Sequence, residues 1–405
     1  MASIMNSLVV GLATLLPYVT AQNPSDIRTD PLTTGPSLEI YHYFTGQWPT
    51  GIAVSATGRS FVCYPAGLDI TNTYNGIIPT MQVGEINSTT SETAYPNATY
   101  NMSPGGAVNR LAVPPVTKGD PNHLLGVQSV IIDSIDTLWI LDTGRVQDLE
   151  DPDHPMLYAT VPGGPKLVNI DLSTNSIIQT IVFNTDLVKP DSYLNDVRID
   201  RNPNLSGTTG KGAAYITDSS LEEDNAIIFV DLGTGKGSHL RRRVRPPSRL
   251  HHLRRDGIAI SPDGNTLYFS VIGGRFLYSV PTAALRAGNF ASAQSQIVNL
   301  GEKGISDGLE TDTNGIVYAG NVEQDAIAMY DPATTYATIF VRDPRINWVD
   351  TMSVAADGYL YFTVNQLNYL NAIYPGTGPP LVDRRTRPFV AFRVPLPNGG
   401  TKVSS

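Results

Sequence analysis

The chain is poor in cysteine and in charged residues. Its 405 residues include one cysteine, Cys63, which excludes a disulfide framework and any cysteine-rich zinc site. Only 16% of the residues are charged, and the formal net charge is −9. A net negative charge opposes binding to nucleic acid or to an anionic membrane surface. With 41% hydrophobic residues, the chain can still bury a large core.

The sequence also lacks an apolar run long enough to span a bilayer, which takes about 20 residues. A shorter apolar run, Ser7–Val19, is followed by small residues that end at Ala21. This length and ending are typical of a secretory signal peptide. We therefore expect residues 1–21 to be a signal peptide, residues 22–405 to form one domain, and the protein to be secreted.

Several N-x-S/T sequons follow this leader. Three of them lie within fifteen residues, in a stretch rich in serine, threonine and tyrosine. In a secreted chain, sequons in such a polar loop predict N-linked glycans on the surface. The predicted glycosylation sites are Asn87, Asn97, Asn101 and Asn204.

One short pattern recurs six times along the chain. Each copy has a polar residue, a β-rich strand, a tight turn of Asp-Gly or Asn-Gly type, and a second strand ending in an aromatic residue. The first polar residues of the copies lie 43 to 78 residues apart: Thr50, Gln128, Asn195, Asp256, Asp307 and Asp350. Further strand pairs lie between the copies. The pattern predicts an all-β, six-bladed β-propeller with four-stranded antiparallel blades around a central channel.

The innermost strands of a propeller line its channel, so equivalent positions of the blades lie at one height. We therefore expect the six leading residues to form a ring near one mouth of the channel. Three carboxylates in this ring would repel one another unless a cation, hydrogen-bond donors or a shared proton compensated them. The alternative is that these residues only satisfy backbone groups at the strand ends. No cofactor or metal site is predicted, although calcium, which prefers six to eight oxygen ligands, remains an alternative for the channel.

Residues next to the ring are candidates for binding a substrate. Arg255 directly precedes one ring residue, and its guanidinium could neutralise the carboxylates or donate to a substrate oxygen. Aromatic residues near two of the leading positions are predicted to line an apolar pocket. These aromatic residues are Trp348, Tyr41, Tyr43 and Trp48.

Residues Leu125–Gly144 resemble the signature of the major royal jelly/Yellow protein family. Asp256–Pro281 and Asn347–Thr351 are similar to two further family blocks, and the resemblance extends over most of the mature chain. It implies a secreted six-bladed propeller, in agreement with the repeats. Insect members usually carry cysteine pairs, which this chain lacks. The chain is more similar to secreted fungal members, which resemble hetero-Diels–Alderases of tropolone–sesquiterpenoid biosynthesis.

This resemblance implies an enzyme that joins a tropolone quinone methide to a terpene alkene of the humulene type. Catalysis would depend on holding the reactants in near-attack geometry and on hydrogen bonds to the carbonyl oxygen. The three ring aspartates would assist the loss of water from a hydroxymethyl precursor. Gln128 or Arg255 would donate to the carbonyl oxygen, and Thr50 and Asn195 would complete the substrate-binding set.

A second hypothesis is a Yellow-like or royal-jelly-like binding protein, or a dopachrome-type tautomerase, for small aromatic amines. The ring carboxylates would then bind the cationic amine. In both hypotheses the partners are small apolar or aromatic molecules. Neither nucleic acid nor a membrane span is expected.

Overall fold

The computed structural model describes residues 31–69, 72, 81–148, 156–220, 225–241, 255–370 and 383–403. The predicted signal peptide lies outside the described residues. Thr33–Ser405 forms one compact unit. Within the described ranges, no helix is long and apolar enough to cross a membrane.

The fold is a six-bladed β-propeller, which confirms the architecture predicted from the repeats. In five blades the chain runs from the innermost strand outward to the edge, and neighbouring strands pair antiparallel. The strands of blades 1, 2 and 3 are Ile52–Val54, Ser60–Cys63, Val83–Ser88 and Ser91–Ala94; Val127–Ile132, Thr137–Asp142, Lys166–Asp171 and Ser176–Val182; Leu194–Asp200, Ala213–Asp218, Ala226–Asp231 and Gly237–Arg241. Those of blades 4 and 5 are Arg255–Ile260, Thr266–Val271, Phe276–Pro281 and Val298–Glu302; Leu309–Thr311, Val317–Asn321, Ala326–Asp331 and Tyr336–Arg342.

The sixth blade combines the two ends of the chain. Its strands, from the channel outward, are Val349–Val354, Tyr359–Val364, Phe389–Pro395 and Glu39–Phe44. The first strand of the chain therefore becomes the outermost strand of the last blade. Each innermost strand contacts the innermost strand of the next blade, and the last contacts the first. Hydrogen bonding and burial thus close the ring without a disulfide, as the single cysteine requires.

Smaller elements lie between the blade strands. They are the strand pairs Val108–Asn109 with Val116–Thr117 and Gln147–Asp148 with Met156–Leu157, the helices Thr282–Arg286 and Phe290–Ser295, and the 3-10 turns Leu367–Tyr369 and Pro397–Gly399. Both helices belong to the connection between the last two strands of blade 4.

The core lies between adjacent blades. Trp139 and Leu167 of blade 2 pack in one buried cluster with Ile216 and Ile228 of blade 3. Both faces of a blade are covered by its neighbours, so apolar residues need not alternate with polar ones along a strand. All six residues of Thr137–Asp142 are accordingly buried.

The turns between the first two strands explain the recurring Asp-Gly and Asn-Gly pairs. Gly315 and Gly358 have φ angles of +79° and +81°, in the left-handed region that glycine adopts without strain. The hydroxyl of Tyr361 donates to Asp357 in its turn over 2.7 Å. Tyr361 lies within the second strand, Tyr359–Val364, and not at its end as the repeat predicted, and its hydrogen bond stabilises the blade.

Candidate functional site

Polar side chains from three neighbouring blades meet at one mouth of the channel. The amide Nδ2 of Asn195 donates to Oδ1 of Asp256. The amide Nε2 of Gln128 donates to Oδ1 of Asn195 over 3.3 Å, and the hydroxyl of Tyr193 donates to Oε1 of Gln128 over 2.8 Å. The leading residues of blades 2, 3 and 4 thus form one hydrogen-bonded chain, as the repeats predicted.

The leading residues of blades 5 and 6 continue this ring with two carboxyl groups. Oδ2 of Asp307 accepts a hydrogen bond from the indole Nε1 of Trp348 over 2.7 Å. Oδ2 of Asp350 accepts one from the amide Nδ2 of Asn365 over 2.6 Å. The two aspartates are only 7% and 8% exposed. Neither of them forms a salt bridge with a cationic side chain of the described residues.

The setting of these aspartates changes their ionisation. Burial raises the pKa of Asp307 well above its usual range, and the negative charges of Asp256 and Asp350 raise it further. Burial also raises the pKa of Asp350 to about 7, against the opposing effect of the hydrogen bond from Asn365. Closely spaced carboxylates cannot all ionise near neutral pH. The raised pKa values favour protonated carboxyl groups at Asp307 and Asp350, and N–H donors contact all three aspartates.

A glycine follows Asp256 and Asp307 because neighbouring inner strands approach closely there. A Cβ atom at Gly257 would overlap the backbone oxygen of Asp307, and one at Gly308 would overlap that of Asp350. The Asp-Gly pairs at the start of these strands thus have a steric cause that differs from that of the Asp-Gly turns. The close approach also explains why the side chains of successive blades interact electrostatically.

Trp348 stands at the mouth in a strained backbone conformation. Its φ angle is +63°, which is rare for a bulky side chain, and such strain is often found at functional sites. The backbone oxygen of Trp348 accepts from the backbone N–H of Asn365 over 3.2 Å. Asn365 also donates to the backbone oxygen of Pro49 over 3.0 Å. The structure therefore places Trp348 beside the ring, and it adds a hydrogen bond that the sequence did not predict.

Thr50 lies in the ring by its backbone position, but its hydroxyl is not available to a ligand. The residue is fully buried. Its Oγ1 donates to the backbone oxygen of Gln128 over 3.3 Å and lies 3.4 Å from Sγ of Cys63. The hydroxyl therefore connects blades 1 and 2, and its predicted role in substrate binding is wrong for this arrangement.

Two of the four predicted aromatic pocket residues lie away from the ring. Tyr41 and Tyr43 belong to Glu39–Phe44, the outermost strand of blade 6, and so lie at the periphery. Trp48 lies next to the ring: it is fully buried, and its indole Nε1 donates to the backbone oxygen of Asn365 over 2.8 Å. The prediction was wrong for Tyr41 and Tyr43 because they are near Thr50 in sequence while the chain enters the propeller at its outer edge.

One predicted glycosylation site is buried. Asn101 is fully buried, and its Oδ1 accepts from the backbone N–H groups of Gln82 and Val83 over 2.8 and 2.9 Å. Its Nδ2 donates to the backbone oxygen of Tyr95 over 2.7 Å. A glycan is attached to Nδ2, which here donates to two backbone oxygens in the interior, so the folded chain does not accommodate one at Asn101. The other three sites are exposed and remain predictions: Asn87, Asn97 and Asn204.

The role predicted for Arg255 remains a prediction. Its backbone begins the inner strand Arg255–Ile260, immediately before the ring residue Asp256. Its side chain lies outside the described part of the structure, as do residues 242–254, which hold most of the arginine-rich segment.

A second polar layer lies further along the channel and was not predicted. Nη1 of Arg198 is 2.8 Å from Oδ1 of Asp196, and Nη2 is 3.5 Å from Oε2 of Glu310. The hydroxyl of Ser129 donates to Asp196 over 3.1 Å. A cavity of about 60 Å³ beside this layer is also lined by Lys402. The repeats could have indicated these positions, since they follow the leading residues on the same strands, but their ion pairing depends on the closed ring.

The comparisons with known proteins agree with this fold. A family model described as Major royal jelly protein matches residues 125–373, which is more than half of the chain. The chain belongs to the major royal jelly protein family. Among its relatives, Major royal jelly protein 3 of Apis mellifera is 23% identical over 242 residues, covering 52% of this chain and 38% of the relative. Major royal jelly protein 1 of the same species is 22% identical over 277 residues, covering 58% and 56%. The match thus spans roughly two fifths to just over half of these family members.

Solved structures match a larger part of this chain than the sequence relatives do. Regucalcin from Agrobacterium tumefaciens, described as a calcium-binding protein, has a TM-score of 0.53 and 15% identity over 91% of this chain and 95% of its own. A luciferin-regenerating enzyme has a TM-score of 0.51 and 12% identity over 91% of this chain and 97% of its own. Identities this low show the fold and carry no activity.

The ring does not fit a calcium ion. Asn195 turns its Nδ2, a hydrogen-bond donor, toward Asp256, and the indole of Trp348 and the amide of Asn365 each occupy a carboxyl oxygen. Calcium needs six to eight converging oxygen ligands. Among the residues with described positions, no group of three acidic, histidine or cysteine side chains is placed to hold a metal ion. We therefore assign no chemical step to a metal.

Proposed function

We propose that the mouth is the active site of a small-molecule enzyme whose ring carboxyls donate and accept protons. The observation that carries this proposal is the pair Asp307 and Asp350, buried without a salt bridge to the described cations and with raised pKa values. A carboxylic acid that remains protonated near neutral pH can act as a general acid. Its neighbour Asp256, which accepts a hydrogen bond from Asn195, would act as the base.

For the reaction, we propose the hetero-Diels–Alder addition implied by the resemblance to secreted fungal members. The protonated carboxyl of Asp307 or Asp350 donates its proton to the hydroxyl of a hydroxymethyl tropolone, and the carbon–oxygen bond breaks to release water. An ionised ring carboxylate takes the proton of the tropolone hydroxyl. The product is the neutral quinone methide, and the ring as a whole neither gains nor loses protons.

The quinone methide then adds to the terpene alkene, with one new carbon–carbon bond, one new carbon–oxygen bond and no leaving group. Such a step is accelerated by holding the reactants in near-attack geometry. A hydrogen bond to the carbonyl oxygen adds to this effect. The amide of Gln128 uses one N–H for Asn195 and has a second to donate. The indole of Trp348 offers an apolar surface beside the ring.

The test is incubation of purified protein with a hydroxymethyl tropolone precursor and humulene, with the rate and stereochemistry of the adduct measured against a no-enzyme control. We expect a faster, stereoselective reaction, and at least a tenfold lower rate for Asp350→Asn. The matched control is Asp186→Asn, which removes an exposed carboxylate outside the ring. An unchanged rate and stereochemistry with the protein present would overturn the proposal.

A second candidate is binding of a small aromatic amine, which the acidic character of the ring favours. The two functions differ in their pH dependence. General-acid chemistry declines as pH rises through about 7, because Asp350 then loses its proton. Amine binding strengthens over the same range, because ionised carboxylates attract an ammonium group. Titration with tyramine from pH 5 to 8 measures this, and an affinity that Asp350→Asn leaves unchanged at pH 8 would eliminate the second candidate.

A further inference from the structure

Lys303 is a buried lysine without a carboxylate partner among the described residues. It lies in the connection between blades 4 and 5 and is only 4% exposed. Its Nζ bonds the backbone oxygen of Gly304 over 3.1 Å and the hydroxyl of Ser306, which are both neutral groups. A buried ammonium without a counter-ion is costly, so this setting favours the neutral amine.

The pKa of Lys303 agrees with this geometry. Burial lowers it to about 7, although the negative charges of Asp307 and Glu323 oppose the change. An exposed lysine has a pKa of about 10.4 and is almost entirely protonated at pH 7. Lys303 is therefore neutral in about half of the molecules at pH 7, and a neutral amine is nucleophilic.

A cavity of about 530 Å³ opens beside Lys303, between the outer parts of blades 4 and 5. This volume lies in the range of small-molecule sites. Ala328, Ala337 and Ile339 form an apolar part of its wall. Asn321, which is 6% exposed, also lines it, and its Oδ1 has no hydrogen-bond partner in the described part of the chain. The cavity thus combines an amine, an apolar wall and a buried acceptor.

We propose that this cavity is a second site, in which Nζ of Lys303 forms an imine with a small hydroxylated aldehyde or ketone. The nitrogen lone pair attacks the carbonyl carbon to form a carbon–nitrogen bond. The former carbonyl oxygen takes up two protons, one of them from the nitrogen, and leaves as water, so that a carbon–nitrogen double bond remains once the nitrogen has lost its second proton. No oxidant or reductant is required. Oδ1 of Asn321 would accept a hydrogen bond from the hydroxyl of the bound compound.

The amine, and not the neighbouring serine, is the reactive group of this site. Ser306 belongs to a G-x-S-x-G sequence, but it lies in a loop before an inner strand and not at a strand-to-helix turn. Ser306 is fully buried, and it does not line the cavity, whereas Lys303 does. Its hydroxyl bonds Nζ of Lys303 and lies 3.3 Å from that of Ser270. The serine hydroxyl can pass a proton to or from the amine while the imine forms.

The experiment treats the full chain at pH 7 with glycolaldehyde, a hydroxylated aldehyde, and cyanoborohydride, which reduces any imine to a stable amine. Peptide mass spectrometry then locates the added mass. We expect Lys303 to be modified at least tenfold more than the exposed Lys236, in spite of its burial. Modification of exposed lysines with Lys303 untouched would overturn the proposal.

Replacing either of two alanines by phenylalanine tests whether labelling of Lys303 depends on the cavity. Ala337→Phe fills the cavity without altering Lys303, and we expect at least a tenfold loss of labelling there. Ala333→Phe, at an exposed turn of the same blade, is the matched control and should leave labelling unchanged. Equal labelling of Lys303 in the two variants would contradict the proposal that the cavity binds the aldehyde. Asp350→Asn should also label normally, so failure of this proposal and failure of the proposed mouth chemistry are distinguishable.

Discussion

Two buried carboxyl groups of this propeller, Asp142 and Asp307, differ in whether a described cation pairs with them. Asp142 and Lys166 are both fully buried, with 2.8 Å between Oδ2 and Nζ, and Asp142 also accepts hydrogen bonds from three backbone N–H groups. Asp307 has the indole of Trp348 as a donor but faces other carboxyl groups. Burial alone therefore does not mark a functional carboxylate. A buried carboxyl group without a compensating cation is a candidate functional group.

The largest expected effect comes from breaking the compensated pair. Lys166→Met leaves the carboxylate of Asp142 buried without its cation, and such a loss typically costs about 3–5 kcal/mol. Denaturant unfolding measures the change in the free energy of unfolding. The control is Lys236→Met at the surface, which should have almost no effect. A loss below about 1 kcal/mol for Lys166→Met would remove the contrast.

Asp350→Asn should stabilise the protein at pH 8, in contrast to the destabilising Lys166→Met. The pKa of Asp350 is about 7 in the folded protein and about 3.9 in an unfolded chain, so the folded state binds more protons between these values. Its contribution to stability is present below pH 4 and is lost as pH rises through 7. At pH 8 the substitution should therefore stabilise the protein by about 1–3 kcal/mol.

The same substitution should have little effect on stability at pH 4, where Asp350 is protonated in the folded state and about half protonated in the unfolded chain. Asp142→Asn is the matched control, and it should destabilise the protein at pH 8 because it removes the charge that Lys166 requires. Thermal unfolding at the two pH values tests both variants. Destabilisation by Asp350→Asn at pH 8 would contradict this prediction, because it would show that the folded protein stabilises the ionised carboxylate of Asp350.

A smaller effect is expected from Trp348→Phe. This substitution keeps an aromatic ring at the mouth but removes the N–H that donates to Asp307. A lost hydrogen bond of this kind costs about 1 kcal/mol. It should also raise the pKa of Asp307 further, because the indole donor favours the ionised form. If both the unfolding midpoint and its dependence on pH were unchanged, the hydrogen bond from the indole would not stabilise Asp307.

The smallest effect is expected at an exposed pair of the same chemical type as the buried one. Arg275 and Glu323 form a salt bridge in which the arginine side chain is 57% exposed. Pairs of this kind contribute about 0–1 kcal/mol, because solvent screens them. Arg275→Gln should therefore change the free energy of unfolding by less than about 1 kcal/mol. A cost close to that of Lys166→Met would show that exposure does not separate the two pairs.

The fold and most of the ring could be predicted because both depend on a repeated local pattern. Gln128, Asn195 and Asp256 occupy the same position in successive hairpins, and closing the ring brings them together. Tyr41 and Tyr43 were assigned wrongly because their position depends on pairing with Phe389–Pro395, at the other end of the chain. No local pattern predicts such a pairing.

The remaining site residues depend on tertiary contacts. Asn101 matches a sequon, but four hydrogen bonds hold its amide in the interior. Lys303 and Asn365 lie in connections between strands, where the hairpin repeat gives no register. Their importance comes from burial and from the groups that face them, and both of these require the folded chain.

The most direct test of the account is a carbon-13 NMR titration of the side-chain carboxyl groups in aspartate-labelled protein from pH 4 to 9, with Asp307→Asn and Asp350→Asn used for assignment. We expect Asp350 to titrate near pH 7 and Asp307 to titrate well above the usual range of an aspartate. Titration of both groups near pH 4 would contradict it.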